Sequence, residues 1–167
     1  DEGEDVPITV LNVNIPAVAG YYNPGDLLPR VIRPFSNEQP MIYMNASAVR
    51  PGTRRYAATL AHELQHASHD ASDSTEEVWI NEGLSALAEE IIDPSPPWPG
   101  FLISAPDTQL TGWTTELGAS GPHYGAAHLF ATYLVEHYGG ADPNTSMRVL
   151  VSQKEDGVEG IDAYLKA

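Results

Sequence analysis

The run HELQH at positions 62–66 constrains the fold more than any other part of the chain, because its two histidines lie four positions apart. The surrounding stretch from Thr53 to about His69 has apolar residues at helical spacing, and Thr53 is a favourable N-cap, so the sequence predicts a helix here. Residues four apart on a helix share one face. Both imidazoles can therefore point to one place, and a largely apolar helix that carries them with Glu63 requires buried polar partners.

This spacing is typical of a metal site in which two histidines bind one ion. Glu63 is offset from His62 by about 100° around the helix, which places its carboxylate beside the ion, near a water in an open coordination position. The pattern therefore predicts Zn²⁺ ligands at His62 and His66 and a general base at Glu63. Because the chain contains no cysteine, any further ligand must be a histidine, an aspartate or a glutamate.

A catalytic zinc site needs a third protein ligand. One longer zinc pattern would place glycine at position 69 and histidine at position 72, where this chain has His69 and Ser72. His69 lies two helical turns, about 10 Å, beyond the first histidine, so we expect it to be a cation at the helix end or part of a cleft wall. Glu82 is favoured, because the adjacent Gly83 indicates that two backbones approach closely there. Glu89 is the alternative to be tested next.

An acidic segment rich in serine and threonine connects this helix to the next one. Its carboxylates, and those that open the next helix, are Asp70, Asp73, Glu76 and Glu77. They allow a Ca²⁺ site, but the chain has no EF-hand pattern and an acidic solvated loop is the favoured interpretation. Glu76 and Glu77 also suit a helix start, where acidic residues interact favourably with the helix dipole.

The remaining periodic segments predict one α+β domain that spans 1–167, with strands first and helices after them. The expected strands are Ile8–Ile15, half buried, and Met41–Asn45, at a sheet edge. The expected further helices cover 76–92, 124–138, 146–153 and 160–165, and 94–122 is expected to be a long irregular loop.

Charge and hydropathy narrow the range of partners. With 8 basic and 23 acidic residues, the formal net charge is -15, which disfavours binding to nucleic acid or to an anionic membrane. No apolar run approaches the roughly 18 residues of a membrane-spanning helix, so membrane insertion is not expected. The acidic start at 1–5 does not resemble a signal peptide, and we expect the chain to be a mature or excised domain.

The HELQH helix followed by the WINEGL segment at 79–84 resembles the gluzincin clan of zinc metallopeptidases. The strand at 41–45 and the YGAAHLF segment at 124–130 resemble the hyicolysin-type family and its bacterial relatives. The likeness extends from about Pro34 to the C-terminus and is sharpest around the two motifs.

The resemblance implies a zincin-like domain with a small N-terminal sheet, in which Glu82 is the third zinc ligand. It also implies zinc-dependent hydrolysis of peptide or protein substrates by a secreted or cell-surface protein of bacterial origin. The spacing from His66 to Glu82 is shorter than in thermolysin-like members of the clan, so a tight loop should join the two helices. The Gly-x-Met-Glu-Asn segment with which aminopeptidases of the clan hold a free N-terminus is absent, which favours an endopeptidase.

Several residues are candidates for supporting roles. Tyr124 is the first candidate for stabilising the oxyanion and His123 the second, since a tyrosine or histidine beyond the glutamate ligand does this in related peptidases. Asn81 and Asp70 are candidates for hydrogen bonds to the distal imidazole nitrogens. The strand at 41–45 is expected to lie above the zinc ion, where a substrate backbone would add as a further strand.

Two other classes of function stay open at this point. The domain can be a non-catalytic zinc-binding relative that serves adhesion or interaction, although an intact Glu63 speaks against this. It can also be a zinc hydrolase that acts on a non-peptide acyl substrate, because the same chemistry serves other carbonyl groups.

Overall fold

The computed structural model describes residues 7–114, 116 and 118–166, with Pro143 described by its backbone alone. In this part the chain forms six α-helices and a three-stranded sheet, which confirms the predicted α+β class. The acidic start at 1–6 lies outside the described residues. None of the described helices is both long enough and apolar enough to cross a membrane.

The secondary structure follows the predicted order, with two additions. The strands are β1 (Thr9–Val13), β2 (Gly20–Tyr22) and β3 (Met41–Asn45), and a short 3-10 helix covers Pro24–Leu27. The helices are α1 (Arg54–Ser72), α2 (Val78–Ile92), α3 (Trp98–Ser104), α4 (Gly121–Tyr138), α5 (Pro143–Val151) and α6 (Gly157–Tyr164). Of these, β2 and α3 were not predicted, and α3 lies within the segment expected to be irregular.

The sheet has the order β1-β3-β2, with β1 parallel and β2 antiparallel to β3. The predicted bounds of β3 are confirmed, but its predicted position at a sheet edge is wrong, because strands pair with it on both sides. Ile42 and Met44 of β3 are fully buried and form the centre of a small core. The expectation of a half-buried β1 is also wrong: only Val10 packs against that core, and the rest of the strand is exposed.

The long helix α1 begins where the sequence predicts, because the Thr53 side chain accepts a hydrogen bond from the backbone N–H of Tyr56. It continues to Ser72, three residues beyond the expected end at His69. The loop to α2 is short, as the spacing of the two motifs predicts, and α2 begins at Val78.

The main core lies between α2, α4, α5 and α6. Two glycines set the distances between its helices. A Cβ at Gly83 of α2 would lie 2.7 Å from the carbonyl oxygen of Ala127 in α4, and one at Gly125 of α4 would lie 2.4 Å from the carbonyl oxygen of Trp98. Any larger residue would therefore push α2 or α3 away from α4.

Candidate metal centre

Three side chains from α1 and α2 meet at one point. The Nε2 atoms of His62 and His66 lie 3.2 Å and 3.4 Å from the same oxygen, Oε2 of Glu82. One ligand atom from each of these residues lies within 4.8 Å of the others. The three residues can therefore hold a metal ion, and they are the three that the sequence assigns to the metal.

Glu82 faces α1 because of where α2 packs. Gly83 does mark a close approach of two backbones, as expected, but its partner is Ala127 of α4 rather than a residue of α1. Gly83 holds one face of α2 against α4, and the preceding residue points about 100° away from that face around the helix. Glu82 is thereby directed towards the two histidines.

The histidines and the carboxylate stabilise each other's charges. Burial lowers the pKa of His62, but the carboxylates of Glu82 and Glu89 outweigh it and raise this pKa to about 10. Burial raises the pKa of Glu82, whereas hydrogen bonds with His62 and His66 lower it to about 2. Both shifts have the same physical cause, the close approach of the two imidazoles to one carboxylate.

The outer nitrogen of His66 has a short hydrogen bond that fixes its tautomer. Asn81 Oδ1 lies 2.7 Å from Nδ1 of His66, so Nδ1 carries the proton and Nε2 is free to bind an ion. Ser85 Oγ lies 3.1 Å from the same nitrogen. The role predicted for Asn81 matches this geometry, whereas Asp70 instead accepts a hydrogen bond from the Tyr22 hydroxyl at 2.9 Å.

The outer nitrogen of His62 faces a carboxylate instead. Glu89 Oε2 lies 3.5 Å from Nδ1 of His62, at the long limit of a hydrogen bond. The other oxygen of Glu89 lies 2.7 Å from Nη1 of Arg55, and only 3% of the Glu89 side chain is exposed. Glu89, the alternative third ligand, therefore lies behind His62 rather than beside Glu82.

Glu63 lies beside the three ligands and is almost fully buried, with 5% of its surface exposed. The edge strand β2 covers it: a Cβ at Gly20 would lie 3.2 Å from both Cγ and Oε1 of the Glu63 side chain. Burial raises the pKa of Glu63, while the charges of His62 and His66 lower it. A buried carboxylate with a raised pKa is well suited to accept and release a proton near neutral pH.

The two candidates for the oxyanion role lie in different surroundings. The ring of Tyr124 lies 6.4 Å from that of His62 and stacks on Trp98 of α3 at 5.0 Å. Burial raises the pKa of the Tyr124 hydroxyl, and the nearby Glu82 and Glu63 carboxylates raise it further, so it remains a hydrogen-bond donor. The His123 ring instead packs against Trp113, at 5.6 Å.

His69 is not the expected cation at a helix end. It is buried, with 1% of its surface exposed, and burial lowers its pKa even though Asp73 and Asp70 are nearby. His69 lies in the last turn of α1, but on the side of the helix that faces the domain interior. Gln65 Nε2 lies 3.4 Å from its Nδ1. A neutral His69 packs there as a polar core residue.

The acidic segment is engaged in local hydrogen bonds. Asp73 Oδ1 accepts from the backbone and hydroxyl of Thr75, and Glu76 accepts from the backbone N–H of Gly157 at the start of α6. Within the described ranges, the group of His62, His66 and Glu82 is the one place where three such residues offer ligand atoms to one ion. The Ca²⁺ site that the acidic segment allows therefore has no counterpart among these residues.

Two cavities flank the metal group. One, of about 280 Å³, lies on the Glu63 side and is also lined by Arg55, Thr59, Trp98 and Tyr124. The other, of about 290 Å³, lies on the His66 side between Tyr22, Asp70 and Glu76. Sequence reasoning gave Arg55 and Trp98 no place in a site and considered Glu89 only as an alternative metal ligand, because their partners are distant in sequence.

The sequence matches no protein-family model and no curated protein.

Proposed function

We propose that the chain is a zinc-dependent endopeptidase of the gluzincin type with a zincin-like fold. The observation that carries this proposal is the convergence of both histidine Nε2 atoms on one oxygen of Glu82, with Glu63 buried beside them. A hydrolytic zinc site gives all four residues a role. A purely structural role would leave two histidines and two carboxylates clustered in a cavity wall.

The separations of the ligand atoms fit zinc. A tetrahedral Zn²⁺ ion with bonds of about 2.0–2.1 Å holds its ligand atoms roughly 3.3 Å apart. Glu82 Oε2 lies 3.2 Å from His62 Nε2 and 3.4 Å from His66 Nε2, which agrees with that value. Two nitrogens and one carboxylate oxygen are also the ligand set of known catalytic zinc sites that keep a fourth position for water.

The residues around the ligands supply the remaining steps of peptide hydrolysis. Zinc held there would act as a Lewis acid towards water and the scissile carbonyl. Glu63 takes a proton from the water and later delivers it to the leaving amine nitrogen. The Tyr124 hydroxyl donates a hydrogen bond to the oxyanion that develops on the former carbonyl oxygen. Trp98, stacked on Tyr124, holds that ring in place.

The cavities on both sides of the metal group support cleavage within a chain rather than at its end. Substrate residues on either side of the scissile bond have space, on the Glu63 side and on the His66 side. The strand that can receive the substrate backbone is β2, not the predicted Met41–Asn45 strand. It lies at an edge of the sheet and its Gly20 is next to Glu63.

The test combines metal content and cleavage in three variants. Purified protein is loaded with zinc, its zinc content is measured by elemental analysis, and cleavage of casein and of internally quenched peptides is followed. Glu63→Gln should retain zinc and lose activity about 10²–10⁴-fold, because the base is removed. Glu82→Ala should lose most of its zinc affinity. Glu90→Gln is the control, because Glu90 follows Glu89 directly but pairs with His128. Its zinc content and its activity should match those of the wild type.

Each alternative has its own outcome. Full activity in Glu63→Gln would exclude this mechanism, and unchanged zinc binding in Glu82→Ala would exclude this ligand set. A zinc-loaded protein that cleaves simple esters but no peptide would be the hydrolase of non-peptide acyl substrates. One that binds zinc and cleaves neither would be the non-catalytic interaction domain.

A further inference from the structure

The cavity on the Glu63 side has an uneven distribution of charge. We call it the Arg55 pocket and define it by Arg55, Thr59, Glu63, Trp98 and Tyr124, together with the small residues at 17–20. Among the described residues that line it, Arg55 is the only lysine or arginine. The cavity is large enough for one extended side chain, at about 280 Å³.

The positive member of the Arg55–Glu89 ion pair is the one that the cavity exposes. The Arg55 side chain is 43% exposed, whereas that of Glu89 is 3% exposed. Glu89 engages Nη1 of Arg55 at 2.7 Å, and a guanidinium group has five N–H donors. Glu89 also lines the cavity, but its carboxylate is almost fully buried, so the N–H groups of Arg55 are the more exposed part of this ion pair.

The position of Glu63 indicates which substrate residue enters the Arg55 pocket. This assignment rests on the proposed function. Glu63 must deliver a proton to the leaving amine nitrogen, so the residue that contributes this nitrogen lies on the Glu63 side. Glu63 lines the Arg55 pocket, whereas the opposite cavity is lined by His66 and Glu82 instead. The side chain that follows the scissile bond therefore enters the Arg55 pocket.

We propose that Arg55 determines specificity by selecting, directly after the scissile bond, a side chain that ends in an acceptor oxygen, as in glutamate or glutamine. The aromatic rings of Trp98 and Tyr124 pack against its aliphatic part, and the guanidinium donates hydrogen bonds to its oxygen. Lysine and arginine are excluded, because they would bring a second cation against Arg55. The overall charge of -15 does not reverse this preference, since charges beyond about 8 Å are largely screened at physiological salt.

The experiment compares internally quenched peptides that differ only in the residue after the scissile bond: glutamate, glutamine, leucine or lysine. Zinc-loaded wild type should cleave the glutamate or glutamine peptide with a kcat/KM at least tenfold above that of the lysine peptide. Arg55→Gln, which still offers Glu89 a hydrogen-bond donor, should reduce that ratio by about tenfold and keep its zinc. Arg54→Gln makes the same change at an exposed arginine outside the pocket and should keep the wild-type ratio.

The outcomes separate this inference from the proposed function. An equal ratio in wild type and Arg55→Gln, or a wild-type preference for lysine, would overturn the role of Arg55 while leaving peptide hydrolysis intact. If no peptide is cleaved, the proposed function fails, and the pocket is then tested by binding of hydroxamate ligands with the same four side chains. Tighter binding of the glutamate or glutamine ligand than of the lysine ligand, lost in Arg55→Gln, would support the role of Arg55. Equal affinities for all four ligands would overturn it. A preference for glutamate over glutamine would identify charge, rather than hydrogen bonding alone, as the origin of selectivity.

Discussion

The carboxylate behind His62 should contribute measurably to metal affinity. Glu89 Oε2 lies 3.5 Å from Nδ1 of His62, and Arg55 holds the other oxygen at 2.7 Å. Such outer partners typically account for 10- to 100-fold in metal affinity, or about 1.4–2.7 kcal/mol. Because the contact with His62 is too long for a full hydrogen bond, we expect the low end, about tenfold, for Glu89→Gln. The loss arises mainly from the removed negative charge, which makes His62 a weaker ligand.

The assay is a competition titration of zinc against a chromogenic chelator, with circular dichroism to confirm that each variant is folded. Glu90→Gln is the matched control, since it makes the same change one residue further along α2, where the side chain bonds to His128. It should leave the zinc dissociation constant within about twofold of the wild type. The reasoning would be refuted if Glu89→Gln bound zinc as tightly as the wild type, or if the two variants weakened zinc equally.

Three further predictions concern the oxyanion, the packing of α2 and the response to acid. Tyr124→Phe should lower kcat about 10²–10³-fold at unchanged zinc content, and equal loss in His123→Ala would contradict this. Gly83→Ala should lower the free energy of unfolding by about 1–3 kcal/mol in urea titrations, because its Cβ would meet Ala127 at 2.7 Å; wild-type stability would contradict the packing. Burial lowers the pKa of His69, so below about pH 6.5 the unfolded chain binds a proton that the fold rejects, and stability falls as the pH falls. The free energy of unfolding is measured at pH 7.5 and at pH 5.0. His69→Gln should reduce the difference between the two values by up to about 1.4 kcal/mol per pH unit. An unchanged difference would exclude His69 as its source.

The parts of the site that the sequence predicts are those fixed by local spacing. His62, Glu63 and His66 share one helix, so their relative placement follows from helical geometry. Glu82 and Asn81 lie together on the next helix, and the structure brings both to the histidines. Gly83 pointed to a close approach of backbones, yet its spacing alone could not show that the neighbour is α4 rather than α1.

The unpredicted parts depend on contacts between segments distant in sequence. The strand β2 is only three residues long, too short for an alternating pattern, and it forms because β3 offers it a free edge. Helix α3 has seven residues in a proline-rich stretch and is held by Gly125 of α4. The expectation that His69 is a cation at the helix end was wrong, because its side chain is buried and burial lowers its pKa.

The two histidines of the candidate site are supported by different chemistry, and this difference links metal binding to substrate selection. His66 is held by a neutral amide, Asn81, which does not line the Arg55 pocket. His62 is held by Glu89, and Glu89 is held by Arg55, which is itself exposed in that pocket. A substrate oxygen that binds Arg55 competes with Glu89 for the guanidinium charge, which leaves more negative charge on Glu89 available to His62. Binding of a preferred side chain should therefore strengthen the support of one metal ligand and not of the other.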